Sequence, residues 1–150
     1  MSRLDALDQY NKALSRGKKY YNDCKRRGAD PYPRVLEGNV NMTEVRSVPV
    51  GIVEIPMSRI VGTFSESRKD VFAGNFMPLV SDEKSEFAKK WIDLCEYHLD
   101  GSGIADPIIC YEYLGDFYVR EGNKRVSVLR SYDATEISGN VIRLIPPDRG

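Results

Sequence analysis

The stretch at residues 117–130, "FYVREGNKRVSVLR", constrains the fold more than any other part of the chain. Apolar and polar residues alternate up to Arg120, which is typical of a strand, and a helical pattern begins directly after Gly122. A strand that enters a helix through one glycine leaves the first N–H groups of that helix without intrahelical partners. Gly122 has no Cβ, so it permits backbone angles and close approaches that other residues resist. The stretch therefore predicts a strand, a tight turn that presents backbone donors, and a helix.

The first turn of this predicted helix carries two cations, Lys124 and Arg125. The helix dipole favours Asp or Glu at that place, so the two cations are locally unfavourable. An anion on the free N–H groups would offset this cost, and phosphate suits the site because Arg125 can form a bidentate fork. The alternative is an ordinary turn with a solvated lysine and arginine, since short glycine motifs recur by chance.

Around this unit the sequence predicts an α+β domain with a mixed sheet and packed helices. We expect a first helix at residues 3–27, weakened and divided by Gly17. A connector follows at 28–50, with at most a short edge strand at 45–48. Beyond it we expect a strand from Ile52 to Pro56, an extended piece at 59–61 and one helical turn at 70–75. The clearest helix spans residues 82–99 with Ser81 as its cap. Strands at 106–114 and 116–121, a helix at 123–132 and a strand at 140–147 complete the prediction.

The charge of the chain is balanced overall but unevenly spread. The 22 basic and 22 acidic residues give a net charge of +0, yet residues 1–34 hold nine Lys or Arg against four Asp or Glu. We therefore divide the chain into a basic helix and connector at 1–45 and a main domain at 46–150. The candidate nucleic-acid contacts of the basic helix are Lys18, Lys19, Arg26 and Arg27. The alternative is a helix that simply carries a solvated basic face.

The cysteines and the apolar runs indicate the compartment. Cys24, Cys95 and Cys110 have neither metal nor redox spacing, and an odd, sparse count is typical of a reducing environment. No signal-peptide pattern opens the chain, and no apolar run is long enough to span a membrane. We expect a cytoplasmic protein with no membrane partner and no transition-metal site.

The segment "DPIICYEYLGDFYVREGNKRVSVLRSYDA" resembles the core of the ParB/sulfiredoxin-like superfamily. Members of this superfamily carry a proline and an apolar residue, a strand, a hairpin, a second strand, a Gly-x-x-Arg box and a helix. Here the box is residues 122–125, and Pro107 and Ile108 introduce it. Upstream, "VEIPMSRIVGT" resembles the opening strand of the superfamily. The resemblance covers residues 50–145 and implies a ParB/sulfiredoxin-like mixed sheet, to which the chain adds an N-terminal helix.

This resemblance implies a site for CTP, ATP or ADP, with Mg²⁺ accompanying the nucleotide. The box and the residue before it would hold the phosphates, Arg68 would supply a second arginine, and one further pair would lie beside the base or sugar. The implied nucleotide-binding residues are Glu121, Gly122, Asn123, Lys124, Arg125, Arg68, Pro107 and Ile108.

Departures from the superfamily pattern argue against some of the reactions that its members catalyse. Asn123 stands where sulfiredoxins have a nucleophilic cysteine, so we do not expect reduction of sulfinic acids. ParB proteins have G-E-R-R at the box, and Asn123 cannot act as the acid or base that a glutamate could be. Some relatives are kinases with a glutamate as general base, for which Glu54 and Glu121 are the candidates.

The leading prediction is a nucleotide-binding module with a regulatory or DNA-associated role. The alternatives are a phosphotransferase or nucleotide hydrolase at the same site, or a DNA-binding protein of the kind named ParB-like nuclease. The chain ends before a helix-turn-helix domain could fit, so a longer polypeptide with further C-terminal domains is an expected partner, as is an oligomer. Whether the chain is an enzyme stays open on the sequence alone.

Overall fold

The computed structural model describes residues 2–101 and 106–147. Three α-helices, six strands and two 3₁₀ helices follow one another in these residues. The helices are α1 (Ser2–Arg27), α2 (Glu86–Leu99) and α3 (Asn123–Ser131), and the 3₁₀ helices are Met57–Arg59 and Glu66–Val71. The strands are β1 (Arg34–Val35), β2 (Arg46–Pro56), β3 (Ile60–Thr63), β4 (Ile108–Tyr113), β5 (Asp116–Glu121) and β6 (Glu136–Ile145).

The six strands form one mixed sheet in the order β1-β3-β5-β4-β6-β2. β1 pairs with β3, β3 with β5, and β4 with β6, all in parallel, whereas β4 with β5 and β2 with β6 are antiparallel. The predicted α+β class and mixed sheet are therefore confirmed. The sheet is built from two distant parts of the chain, because β3 pairs with β5 of the later hairpin and β2 pairs with β6, the last strand.

The hairpin and the turn that follows it are set by local sequence. Leu114 (φ 52°) and Gly115 (φ 86°) both adopt positive φ between β4 and β5, which is the geometry of a tight two-residue hairpin turn. β5 then ends at Glu121, Gly122 makes the next turn, and α3 begins at once. The predicted strand, turn and helix at 117–130 are thus present in the order expected. Apolar side chains of α3 and the sheet form a buried core that includes Val126, Ile108 and Val119.

A second core holds the three helices together. The ring of Tyr10 from α1 meets the ring of Trp91 from α2 edge to face, with centroids 5.2 Å apart. The indole N–H of Trp91 donates to Ser127 Oγ in α3 at 2.8 Å, so its buried polar atom is satisfied. The Tyr10 hydroxyl donates to the carbonyl of Val80 at 2.6 Å. The first half of the N-terminal helix is therefore packed against α2 and shares a core with α3.

The prediction that Gly17 divides the first helix is wrong. α1 is continuous over 26 residues, and Gly17 is buried within it. A Cβ at this position would lie 2.3 Å from the carbonyl oxygen of Pro78, so the glycine lets a neighbouring segment approach the helix. The low helix propensity of glycine is offset here by tertiary packing.

The start of α2 was also predicted too early. The helix begins at Glu86, and its cap is Ser85, whose Oγ accepts from the N–H of Ala88 at 3.1 Å. Ser81 lies outside, because Asp82 organises a separate turn: its carbonyl accepts from Ser85 N–H and its Oδ1 from Lys84 N–H. The side chain of Asp82 therefore competes with the helix for the backbone donors that follow it.

Three further boundaries differ from the prediction. β2 begins at Arg46 and runs through Pro49, which an edge strand tolerates, so the connector is shorter and contains the two-residue strand β1. The helical turn predicted at 70–75 is the 3₁₀ helix Glu66–Val71. β6 begins at Glu136, four residues before its predicted start, because its first residues pair with the end of β2.

Within the described parts of the chain, no helix has both the length and the apolar character needed to cross a membrane.

Candidate functional site

A cleft of about 450 Å³ opens where β5 passes into α3. One wall is the turn itself, the second is α2, and the third is the 3₁₀ helix Glu66–Val71 with the residue after it. The lining residues are Arg68, Val71, Phe72, Lys90, Asp93, Leu94, Arg120, Glu121, Gly122, Asn123, Lys124 and Arg125. All six of the predicted phosphate-binding residues, Arg68 among them, are thus brought together in one place.

Gly122 is the N-cap of α3 and has left-handed backbone angles, φ 106° and ψ 23°. No side chain caps the helix, and its first intrahelical bond runs from Val126 N–H to the Gly122 carbonyl at 3.0 Å. The N–H groups of residues 123–125 therefore have no partner within the helix. A Cβ on Gly122 would lie 2.5 Å from Ile108 Cγ2, so the turn also needs glycine for packing. The result is a set of backbone donors at the positive end of a helix dipole.

Positive charge dominates the side chains around these donors. Five cations line the cleft: Arg68, Lys90, Arg120, Lys124 and Arg125. The pKa of Lys124 lies below its ordinary value, chiefly because burial desolvates the ammonium and further because Arg68 and Lys90 repel it. Its Nζ rests 5.2 Å from the centroid of the Phe87 ring. A desolvated ammonium that is crowded by other cations is stabilised by an anion, so the charge of the cleft favours an anionic ligand.

The acidic residues of the cleft only partly balance these charges. Asp93 Oδ1 pairs with Arg3 Nη1 of α1 at 2.5 Å. Glu121 is exposed beside the turn. Lys90 pairs with Glu86 one helical turn earlier at 3.1 Å, an exposed pair that solvent screens. One carboxylate, Glu121, therefore stays available in the cleft, which suits Mg²⁺ bound together with phosphates.

Asn123 gives an independent sign of a ligand. Its side chain is only 8% exposed, and its Oδ1 is buried without a hydrogen-bond partner among the residues that the structure describes. Buried amide oxygens in folded proteins nearly always accept a hydrogen bond, and leaving one unpaired costs about 1–3 kcal/mol. Because Asn123 also lines the cleft, a donor carried by a ligand or by its hydration water would remove this cost.

Arg125 lines the cleft and also makes hydrogen bonds that stabilise the fold. Its Nη1 donates to the carbonyls of Asp106 (2.8 Å) and Pro107 (3.1 Å), which fixes the entry to β4. Pro107 is thus connected to the cleft only through Arg125. Ile108 is fully buried beneath Gly122 and supports the turn from below. Neither of these two residues lines the cleft, although both were predicted to lie beside a base or sugar.

The other candidate residues lie elsewhere. Glu54, on the edge strand β2, accepts from Ser138 Oγ and is not part of the cleft lining. The four basic residues proposed for nucleic-acid contact are exposed on α1. Two of them are engaged locally: Arg26 with the Asp23 carboxylate, and Arg27 with the Asp23 carbonyl. Lys18 and Lys19 point to solvent on the same helix.

The sequence interpretation missed two cationic residues and the apolar wall of the cleft. Lys90 comes from α2, and only the packing of α2 beside α3 brings it near the turn. Leu94 forms part of the wall for the same reason, and Phe72 does so because it directly follows the 3₁₀ helix that borders the cleft. Arg120 could have been found, since it precedes the box by two residues and alternation places it on one face of β5.

No group of three or more His, Cys, Asp or Glu that could hold a metal ion by itself occurs in the described residues. The fold and the cleft together define an α+β domain with a cationic cleft at a helix N-terminus. Comparisons with known proteins do not assign the chain to a family: no family model, no curated protein and no solved structure matches it.

Proposed function

We propose that the chain is a nucleotide-binding module that holds the phosphates of CTP, ATP or ADP in the cleft at Gly122. The observation that carries the proposal is the meeting of uncapped helix donors, five cations and an unpaired buried amide in one cleft. Phosphate is the ligand that uses all three, because it accepts from backbone N–H groups and cations while its hydration water can donate to Asn123.

The size and walls of the cleft favour a nucleotide over a small inorganic anion. Its volume of about 450 Å³ lies in the range of small-molecule sites and far exceeds what one phosphate fills. Val71, Phe72 and Leu94 give it an apolar wall opposite the charged turn. A ligand with a polyanionic end and an uncharged nucleoside end fits both sides. Glu121 would help to hold Mg²⁺ between the phosphates and the protein.

The order of elements supports assignment to the ParB/sulfiredoxin-like superfamily. Residues 107–131 form an entry proline, a strand, a hairpin, a second strand, a glycine turn and a helix, in the sequence that the superfamily signature has. A regulatory or DNA-associated role follows from the resemblance. Asn123 offers no acid or base beside the phosphates, so we expect binding without rapid turnover.

Calorimetric titration of CTP, ATP, GTP and ADP, with and without Mg²⁺, tests the proposal. Lys124→Met and Lys90→Met should each weaken binding about ten- to a hundredfold, since a hydrogen bond to a charged group contributes roughly 1.5–3 kcal/mol. Lys89→Met is the matched control, because Lys89 lies next to Lys90 on α2 and does not line the cleft. Arg125→Ala should also lose binding, but it removes the support of β4 as well. Absence of binding to the wild type at millimolar nucleotide would refute the proposal.

Two further measurements distinguish a nucleotide-binding module from an enzyme and from a DNA-associated protein. Phosphate release that persists in the purified protein and disappears in Glu121→Gln would make the chain a hydrolase or transferase. Salt-dependent retention on DNA that Lys18→Ala with Lys19→Ala weakens would establish DNA association.

A further inference from the structure

Arg120 connects the cleft to the opposite face of the sheet. It is exposed, lines the cleft, and stands two residues before Gly122 on β5. Its guanidinium carbon lies 5.8 Å from the centroid of the Tyr111 ring on β4. That distance is within the range of a cation–π contact, and arginine stacks on aromatic rings with its plane. One side of the guanidinium is thus covered by Tyr111.

The ring beneath Arg120 is itself held in place. Phe64 packs on Tyr111 with centroids 5.1 Å apart and an angle of 52° between the planes. The backbone of Phe64 is fixed by two hydrogen bonds: its N–H donates to the Val119 carbonyl, and its carbonyl accepts from Glu37 N–H, each at 2.8 Å. Phe64, Tyr111 and Arg120 therefore contact one another in series, a group here called the arginine platform, which ends in an exposed guanidinium at the mouth of the cleft.

The arginine platform lies close enough to the backbone N–H groups at the turn for one nucleotide to contact both. Two residues of extended strand separate Arg120 from Gly122, a rise of about 7 Å. A ligand anchored at the turn by its phosphates can therefore lay a planar group over the guanidinium. Bases stack on guanidinium planes in nucleic-acid-binding proteins, and such stacking tolerates any base because every base has a π-face.

We propose that Arg120 stacks on the nucleobase of the bound nucleotide, with Tyr111 and Phe64 as positioning residues. This inference rests on the proposed function, and it specifies the ligand as a nucleoside polyphosphate whose base lies at the mouth of the cleft, over Arg120. Stacking depends on the area of the base and not on the chemical groups along its edges. We therefore expect the site to discriminate weakly among bases and to bind purine nucleotides somewhat more tightly than pyrimidine nucleotides.

Titration of ATP and of inorganic triphosphate on the same proteins tests the inference. Arg120→Lys keeps the positive charge and removes the plane, so ATP affinity should fall about tenfold while triphosphate affinity stays unchanged. Tyr111→Leu should produce the same selective loss, because the guanidinium loses its support. Thermal unfolding of each variant verifies that it is folded. In the wild type, 2-aminopurine riboside triphosphate should be quenched on binding, and Arg120→Lys should lose this quenching.

The outcomes separate this inference from the proposed function. Equal loss of ATP and triphosphate in Arg120→Lys would show that Arg120 acts only as a charge, and would overturn the stacking role. Equal affinity of the wild type for ATP and triphosphate would do the same while leaving the phosphate site intact. Failure of the wild type to bind either compound would overturn both proposals.

Discussion

Replacement of Gly122 by alanine should destabilise the fold and remove the phosphate site together. The backbone at this position has φ 106°, and a residue with a Cβ pays about 1–2 kcal/mol to adopt a left-handed conformation. The new Cβ would also lie 2.5 Å from Ile108 Cγ2 and 3.0 Å from Ile108 Cβ. Ile108 is fully buried, so it must shift within a packed core, at a further cost of about 1–3 kcal/mol.

The expected loss of stability is therefore about 3 kcal/mol, which in a chain of this size corresponds to a fall of roughly 10 °C in Tm. Urea unfolding followed by circular dichroism measures the free energy, and calorimetry with ATP measures the site. Because the turn must move to accommodate the Cβ, the N–H groups of residues 123–125 lose their common direction, and we expect nucleotide affinity to fall at least tenfold.

Gly51→Ala is the matched control. Gly51 has φ 97°, close to that of Gly122, but a Cβ there would meet nothing within 4 Å. Gly51→Ala should lower the free energy of unfolding only by the cost of the left-handed conformation, about 1–2 kcal/mol, and should leave nucleotide binding unchanged. Equal destabilisation by the two substitutions would contradict the packing argument. Unchanged nucleotide affinity in folded Gly122→Ala would contradict the role of the turn.

Three further predictions concern packing, charge and thiol chemistry. Gly17→Ala would gain about 1 kcal/mol from helix propensity alone, but a Cβ 2.3 Å from the Pro78 carbonyl oxygen should reverse the sign, so urea unfolding should show a net loss. Lys124→Met should raise the unfolding free energy of the ligand-free protein at pH 7 while weakening ATP binding. The reason is that the pKa of Lys124 lies below 10.5 in the fold, so folding disfavours its charge at any pH below that lowered pKa; lower stability in this variant would refute the reasoning. Burial raises the pKa of the Cys110 thiol to about 12, so at pH 8 iodoacetamide should label Cys110 only after denaturation, as mass spectrometry of native and unfolded samples would show.

The parts of the fold that depend on local sequence were predictable. The β4–β5 hairpin and the turn into α3 follow from Gly115, Gly122 and the alternation between them, because each signal acts within a few residues. The full length of β2 was not predictable in this way, although its start lies within the edge strand expected at 45–48. Its first residues pair with the end of β6, about a hundred residues later, and Pro49 within the strand argued against pairing.

The residues of the candidate site also fall into two groups, those that local sequence predicts and those that it does not. The residues of the turn are consecutive, so the box and its cations could be recognised together in the sequence. Lys90 and Leu94 reach the cleft through the packing of α2 against α3, and Phe72 through the packing of the 3₁₀ segment against β1 and β3; nothing in their own neighbourhood indicates this. The assignment to the ParB/sulfiredoxin-like superfamily stays a prediction that nucleotide titration can test.

The shared core of the three helices has a consequence for synthesis on the ribosome. α1 is complete at Arg27, but its apolar face packs on Trp91 of α2, and Gln9 donates to the carbonyl of Ser131 at the end of α3. About a hundred further residues must be added before all these partners exist, which takes roughly 5–20 s at ordinary elongation rates. During that interval the face that includes Ala6, Tyr10 and Leu14 gains its native partners one after another, with Val80 and Trp91 synthesised before α3. Until α2 and α3 have been synthesised, part of the apolar face of α1 therefore stays uncovered on the nascent chain.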